Sequence, residues 1–211
     1  MFMLNLAIIG CGRTGKRIGE EIIKDQDLSK NYFVKIFDFD KVEEKNIQSQ
    51  NFSKRFLNIP KVKAFLEMHK NYESKFEVFN VKIEENNLKI LEDCDIILNA
   101  TDDFNLAILL NKFCVSHSKI FIHTAVSNNF AFISCTTKKP CLYCFSKNKS
   151  WSYEKPRIET ILLCVSITLS FLRSLIKDKS IIGHSFFGDL ENKVFNFLKI
   201  KPSRDCYVCS R

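Results

Sequence analysis

The sequence lacks the features that mark several large classes of protein. No apolar run reaches the roughly 20 residues a helix needs to cross a bilayer; the longest, Ile161 to Leu172, has 12 and carries serine and threonine. No membrane span is expected. No run of one charge sign occurs either: the formal net charge is +8, yet the lysines are spread along the chain without a nucleic-acid motif. This balance reads as a solvated basic surface that attracts an anionic ligand or an acidic partner, not as a nucleic-acid footprint. The first strand begins near residue 4, which leaves no space for an export leader and makes a cytoplasmic location the expectation. Nine cysteines, an odd number, without such a leader argue against a disulfide framework and for metal binding or plain burial. There is no internal repeat and no low-complexity linker, and 45% hydrophobic with 27% charged residues is ordinary globular composition, so residues 1–211 are expected to form one domain.

What is present is organised around Leu4-Asn5-Leu6-Ala7-Ile8-Ile9-Gly10-Cys11-Gly12-Arg13-Thr14-Gly15, an apolar strand running into a glycine-rich turn. Gly10 allows a tight turn, Gly12 lets backbone approach a phosphate, and Gly15 lets a helix pack closely on the strand. The helix is expected over Arg17 to Lys24, with its N-terminal amides and positive dipole end towards the anion. The same glycine spacing fits a plain surface turn, but its place between first strand and first helix favours a nucleotide cradle. Tyr32 to Asp38 reads as a buried parallel strand ending in an acid where a ribose-binding carboxylate belongs. The alternative is that Asp38 and Asp40 simply start a turn.

Lys41 to Asn58 is polar and without clear periodicity, and Pro60 then opens a helix. Phe76 to Ile83, Asp95 to Ala100 and Lys119 to Val126 read as strands, separated by a short helix at Leu88 to Leu91 and a longer one over Asn105 to Ser116. This alternation predicts an α/β fold: a doubly wound, Rossmann-like, mainly parallel sheet with ligands outside the carboxyl ends of its strands. Residues 1–126 form the nucleotide-binding half of this reading. In 127–211, Asn129 to Thr136 and Lys193 to Ile200 extend the sheet as antiparallel strands. An apolar helix over Arg157 to Lys177 lies between them, and Gly183 to Gly188 pairs with the last strand across an Asp189–Asn192 turn.

Cys141-Leu142-Tyr143-Cys144 and Cys206-Tyr207-Val208-Cys209 are two CxxC pairs. Four thiolates from two such knuckles satisfy tetrahedral zinc in a closed, structural site that ties the C-terminal tail to the loop after the sixth strand; the alternatives are coincidence or a redox dithiol. The other five, Cys11, Cys94, Cys114, Cys135 and Cys164, lie in apolar elements or beside the glycine loop. Cys164 reads as a small buried hydrophobe before it reads as a thioester nucleophile. None of His69, His117, His123 and His184 has a Cys or Asp at catalytic spacing; His123, at the end of the fifth strand, is placed to face a ligand.

In order along the chain, Gly10 to Gly15, Phe37-Asp38-Phe39-Asp40-Lys41-Val42, Asn46-Ile47-Gln48-Ser49-Gln50, Pro60-Lys61-Val62, Asn99-Ala100-Thr101-Asp102-Asp103 and the CxxC pairs resemble the ThiF/MoeB/HesA family, relatives of the ubiquitin-activating enzymes. The resemblance implies an enzyme that binds ATP with Mg²⁺ and transfers AMP to a carboxylate, often the C-terminal glycine of a ubiquitin-like or sulfur-carrier protein, and that works as a homodimer. It implies that Asp38 holds the ribose, that Asp40, Asn46 and Gln50 lie near the nucleotide, that Lys61 contacts the triphosphate and that Asp102 holds magnesium. Those residue types suit in-line attack on the α-phosphorus, where spreading phosphate charge matters more than covalent help.

The departures from the pattern are specific. Ser49 stands where the Asn-x-x-Arg-Gln motif has arginine, Ala107 where many members have a second, and, with the first strand beginning near residue 4, no N-terminal arm lending another arginine to a neighbouring subunit is expected. Arg13, or Lys54 and Arg55, are the replacements at hand. The Gly-Val-x-x-Pro pattern of sulfur-carrier activators is missing before the apolar helix. These differences favour a small-molecule acid as substrate, as in a short ThiF-like enzyme of methanogens that activates the carboxyl of a guanylylpyridinol; the alternative is a ubiquitin-like protein C-terminus. A non-catalytic nucleotide-binding scaffold is a further reading, opposed by the retained Lys61 and Asp102. A dinucleotide oxidoreductase shares the glycine loop and Asp38 but leaves Lys61, Asp102 and the CxxC pairs unexplained.

Overall fold

Leu6 to Ile9 are apolar without alternation, the pattern of a strand buried on both faces, and they sit at the middle of the sheet. The computed structural model describes residues 3–146 and 154–210. Five strands run parallel: β1 (Leu4–Ile9), β2 (Tyr32–Phe37), β3 (Phe76–Phe79), β4 (Ile96–Asn99) and β5 (Ile120–Ser127). Three more, β6 (Phe130–Thr136), β7 (His184–Asp189) and β8 (Val194–Lys199), extend the sheet antiparallel. The order is β3-β2-β1-β4-β5-β6-β7-β8. The chain leaves β1 on one side and returns to β4 on the other, so the loops after β1 and β4 flank the crevice where such sheets bind ligands.

Helices cover both faces. α1 (Arg13–Lys24), α4 (Lys61–Met68) and α7 (Ile158–Lys177) bury Ile18, Ile22, Phe65, Cys164 and Phe171 on one side. α5 (Phe104–His117) buries Ala107, Leu110 and Phe113 against Ile97, Phe121 and Phe132 on the other. The remaining helices are short: α2 (Leu28–Asn31), α3 (Glu44–Gln50) and α6 (Leu142–Ser146).

Four expectations are corrected. α1 starts at Arg13, not Arg17, because Gly12 takes the extended cap conformation and Lys16 N already donates to Gly12 O at 3.1 Å. β3 ends at Phe79, not Ile83, because its partner β2 ends at Phe37, which pairs with Phe79. The Leu88–Leu91 turn belongs to a 3-10 helix over Glu85–Leu91. The aperiodic stretch from Lys41 contains α3 and a 3-10 turn, Lys54–Phe56, pinned to the core by buried Val42, Phe52 and Phe56. By length and composition the 20-residue α7 matches a membrane-crossing helix, which the 12-residue apolar run did not suggest. Its apolarity is that of a core helix, since Thr160, Ile161, Cys164, Thr168, Phe171 and Leu172 are buried as it packs on β5, β6 and α1. The segment ahead of α7 where the Gly-Val-x-x-Pro pattern is missing includes residues 147–153, which lie outside the described residues.

Candidate nucleotide site and cysteine cluster

The glycine loop is fixed by contacts that admit no side chain at two of its three positions. Gly10 has φ +101°, a left-handed conformation that L side chains rarely adopt, and a Cβ there would stand 3.0 Å from Thr101 and 3.1 Å from Ala100 O. A Cβ on Gly15 would lie 2.0 Å from Gly10 O and 3.0 Å from the Ala100 Cβ. Gly12 differs, for a Cβ there would meet nothing within 4 Å. Its open side is where a phosphate can approach the backbone, at the positive end of α1.

Asp38, just past β2, is buried and braces this loop. Its Oδ2 accepts from Cys11 N at 2.6 Å and its Oδ1 from Asp40 N at 2.7 Å. Burial raises its carboxyl above the ordinary value, opposed by the amides of Cys11 and Asp40 and by Lys61. Each oxygen keeps a lone pair for a ribose hydroxyl. Lys61, 6% exposed, heads α4; its Nζ donates to Asp40 Oδ2 at 2.7 Å and its backbone N to Asp40 O at 2.8 Å. Asp38, Asp40, Lys61 and the loop therefore form one cluster.

Across the crevice, Asp102 follows β4 with an exposed carboxylate that makes no hydrogen bond or ion pair among the described residues. Asp103 beside it is occupied as the cap of α5, accepting from Leu106 N at 3.1 Å. Asp102 thus suits Mg²⁺, which takes one or two protein carboxylates together with phosphate oxygens. Asn46 is buried and spends its Oδ1 on Glu43 N (2.9 Å), closing the N-terminus of α3. Gln50, at the other end of α3, holds Oε1 away from water without a partner among the described residues.

The arginine replacements separate. Arg13 donates from Nη1 to Pro156 O at 3.3 Å and lines a cleft with Ser49 and Gln50. Arg55 stacks on Phe56 at 4.6 Å, and neither it nor Lys54 lines that cleft. Ala107 is fully buried on the core-facing side of α5. His123 lies within β5, level with Asn99 of β4, not at the strand's end. Asn99 Oδ1 accepts from Thr101 Oγ1 at 2.9 Å, so its Nδ2 faces His123 Nδ1 at 3.1 Å. That arrangement puts the imidazole proton on Nε2. Burial pushes the His123 pKa down to about 4, which keeps it neutral near pH 7.

The two CxxC pairs meet. Cys141 and Cys206 Sγ are 3.6 Å apart, Cys144 and Cys209 Sγ 3.4 Å, and all four sulfurs lie within 4.8 Å of one another. Tetrahedral zinc with bonds of about 2.3 Å places its sulfurs roughly 3.8 Å apart, so the four residues fit that ion. Leu142 N donates to Asn111 Oδ1 at 3.0 Å, and Lys112 Nζ stands 4.8 Å from the Tyr207 ring, fastening the cluster to α5. Cys164 is fully buried and its thiol is pushed up to about 12 by burial, no state for a nucleophile.

A buried charged group went unread in the sequence: Lys16 and Glu20 of α1, with His69 after α4. Lys16 Nζ donates to Glu20 Oε1 at 2.6 Å, and His69 Nε2 is 3.3 Å from the same oxygen. Burial raises the Glu20 carboxyl, but the bonds from His69 and Lys16 outweigh it and hold the value to about 2. Only the i,i+4 spacing of Lys16 and Glu20 signalled this pair.

An open, mainly parallel sheet with a glycine loop, an acidic strand end and a lysine-headed helix at its switch point defines a nucleotide-binding α/β protein. The chain belongs to the ThiF family, whose model matches residues 2–177. Over 200 residues it is 26% identical to the adenylyltransferase and sulfurtransferase MOCS3 of Aedes aegypti, a match covering 83% of this chain and 44% of that protein. Among solved structures, E. coli MccB with selenomethionine MccA superposes at a TM-score of 0.79 with 16% identity, over 98% of this chain and 66% of the other. MccB with ATP gives 0.77 at 17% identity over the same shares. PaaA gives 0.71 at 14%, over 93% of this chain and 64% of its own. At these identities the likeness is one of fold, and this chain spans less than half of the curated relative and about two thirds of the structural ones.

Proposed function

We propose that residues 1–211 act as one adenylation domain, an ATP-dependent adenylyltransferase that activates a carboxylate as an acyl-adenylate. The observation that carries this reading is the cluster at the switch point: the open face of Gly12, Asp38 bracing the loop, buried Lys61 on one side and, on the other, the exposed Asp102 carboxylate, unpartnered among the described residues. Asp38 takes the ribose hydroxyls. The loop amides and Lys61 take phosphate charge, and Gln50 and Asn46 border the phosphates from α3. Asp102 would hold magnesium, which would supply further charge neutralisation there. In the reaction a carboxylate oxygen bonds to the α-phosphorus while the bond from that phosphorus to the α,β-bridging oxygen breaks; pyrophosphate leaves with the electron pair and acyl-AMP remains. Cys141, Cys144, Cys206 and Cys209 would hold zinc in a structural role.

The substrate class we favour is a small-molecule acid of the guanylylpyridinol type, on the missing arginines and the missing Gly-Val-x-x-Pro pattern. The second reading, a protein C-terminus presented to a homodimer, draws support from β8, an edge strand exposing Phe195, Phe197 and Leu198, since apolar edge strands take up further chains. ATP–pyrophosphate exchange, offered guanylylpyridinol-type acids and then carrier proteins ending in Gly-Gly, decides between them. Exchange is expected with one class alone, falling about a hundredfold or more in Asp102→Ala. MgATP binding without exchange for any acid would sink the catalytic reading in favour of a scaffold.

A further inference from the structure

On the α1 side of the phosphate loop, the cleft that takes in Arg13 is also lined by Lys16, Arg17, Ser49, Gln50 and Ile158. Lys16 is 2% exposed and is the fourth residue of α1, the helix whose N-terminus frames the loop. A lysine there is badly placed on two counts. It sits near the positive end of a helix, and it has lost the hydration an ammonium needs. Glu20 is its one carboxylate partner among the described residues, and Glu20 is shared with His69. Phe52, whose ring centroid lies 5.1 Å from Nζ, closes the other side. In the same cleft Gln50 Oε1 is cut off from water with no donor to bond among the described residues. Ser49, next to it, stands where the family motif carries its arginine. Breaking a local electrostatic rule without a structural gain is characteristic of a functional position. A polyphosphate at the head of α1 reverses the sign of both penalties.

We propose that Lys16 is a phosphate-binding cation of the nucleotide site, serving in place of the arginine lost at Ser49, with Glu20 and His69 as its positioning residues. The inference rests on the nucleotide reading above. Side chains of a helix lean towards its N-terminus, so rotation of the four-carbon stem carries Nζ from Glu20, one turn further on, towards the loop. Gln50 Oε1, which lines the same cleft, is an acceptor for one of its N–H groups there. A cation serving the outer phosphates separates ATP from AMP, which carries the α-phosphate alone.

The test is calorimetric titration of MgATP and of AMP into the wild type, Lys16→Met and Glu20→Gln. Lys16→Met is expected to weaken MgATP about tenfold, the size of one charge-assisted contact, and to move AMP by less than about twofold. Glu20→Gln, which releases the lysine, is expected to tighten MgATP by roughly threefold. Equal weakening of both ligands by Lys16→Met, or no change in either, overturns the assignment. If Lys16→Met does not fold, Glu20→Gln decides, and unchanged or weaker MgATP binding overturns it. A wild type that binds no MgATP counts against the proposed function itself, whereas normal wild-type binding with an unmoved Lys16→Met removes only the role of Lys16.

Discussion

Gly15→Ala is expected to destabilise the protein by about 2–4 kcal/mol and to abolish MgATP binding, while Gly12→Ala is expected to leave stability within about 0.5 kcal/mol of the wild type. The contrast follows from space. A methyl at position 15 would sit 2.0 Å from Gly10 O and 3.0 Å from the Ala100 Cβ, so α1 must back away from β1 and the end of β4 together. Those are the elements that carry the loop and the Asp102 segment, and the crevice opens with them. At position 12 a methyl meets no protein atom within 4 Å. Gly12→Ala is therefore expected to fold normally and to bind MgATP more weakly, because its methyl takes space a phosphate needs. Thermal unfolding with calorimetric titration checks both variants. A stable, binding Gly15→Ala would mean that the loop is not the tight joint described here.

Removing the metal from the cysteine cluster, or Cys206→Ser, is expected to lower stability by several kcal/mol, more than any single change on the protein's surface. Metal analysis of the purified protein should give one zinc per chain, lost in Cys206→Ser. The local core gives the reason: Cys141, Cys206 and Cys209 are its buried members, with Val115, Tyr143, Cys144 and Val208 packed around them. So small an apolar cluster holds the tail poorly once four thiols replace four bridged thiolates. The tail that β8 leads into, the turn carrying Cys141 and the end of α5 then lose their common anchor. A protein isolated without metal, with unfolding unmoved by a chelator, would assign these cysteines to burial alone.

The parallel half of the fold was legible because its strands are short apolar runs punctuated by helices, and such runs have few alternative placements. The antiparallel half was legible through the change of pattern after Val126 and one turn, Asp189–Asn192, where Asp189 Oδ1 accepts from Glu191 N at 3.1 Å and from Asn192 N at 3.2 Å. What the sequence hid depended on tertiary partners. α3 has seven residues and one buried side chain, Asn46, so no apolar period marks it. β3 is cut short by the end of its neighbour and not by anything in its own residues. In the site, Gly10, Asp38 and Lys61 were readable from spacing and from the family pattern. The ion pair of Lys61 with Asp40 was not, because 21 residues separate partners that only the approach of α4 to the end of β2 brings together. Arg13 was read as one replacement for the missing arginine charge; its bond to Pro156 O, 143 residues away, was not legible. Lys16 was passed over because a lysine next to a glycine loop reads as solvated until its burial is seen.

The central claim is that the crevice beside Gly12 is an ATP site that depends on Lys61, not a dinucleotide site that happens to share its glycines and acid. Calorimetric titration of the zinc-loaded protein with MgATP and, separately, with NAD addresses it directly, using Lys61→Met beside the wild type. Saturable MgATP binding, weakened about tenfold or more in Lys61→Met, with no heat from NAD, is the expected result. Binding of NAD in place of ATP, or equal MgATP affinity in the two proteins, would contradict the account.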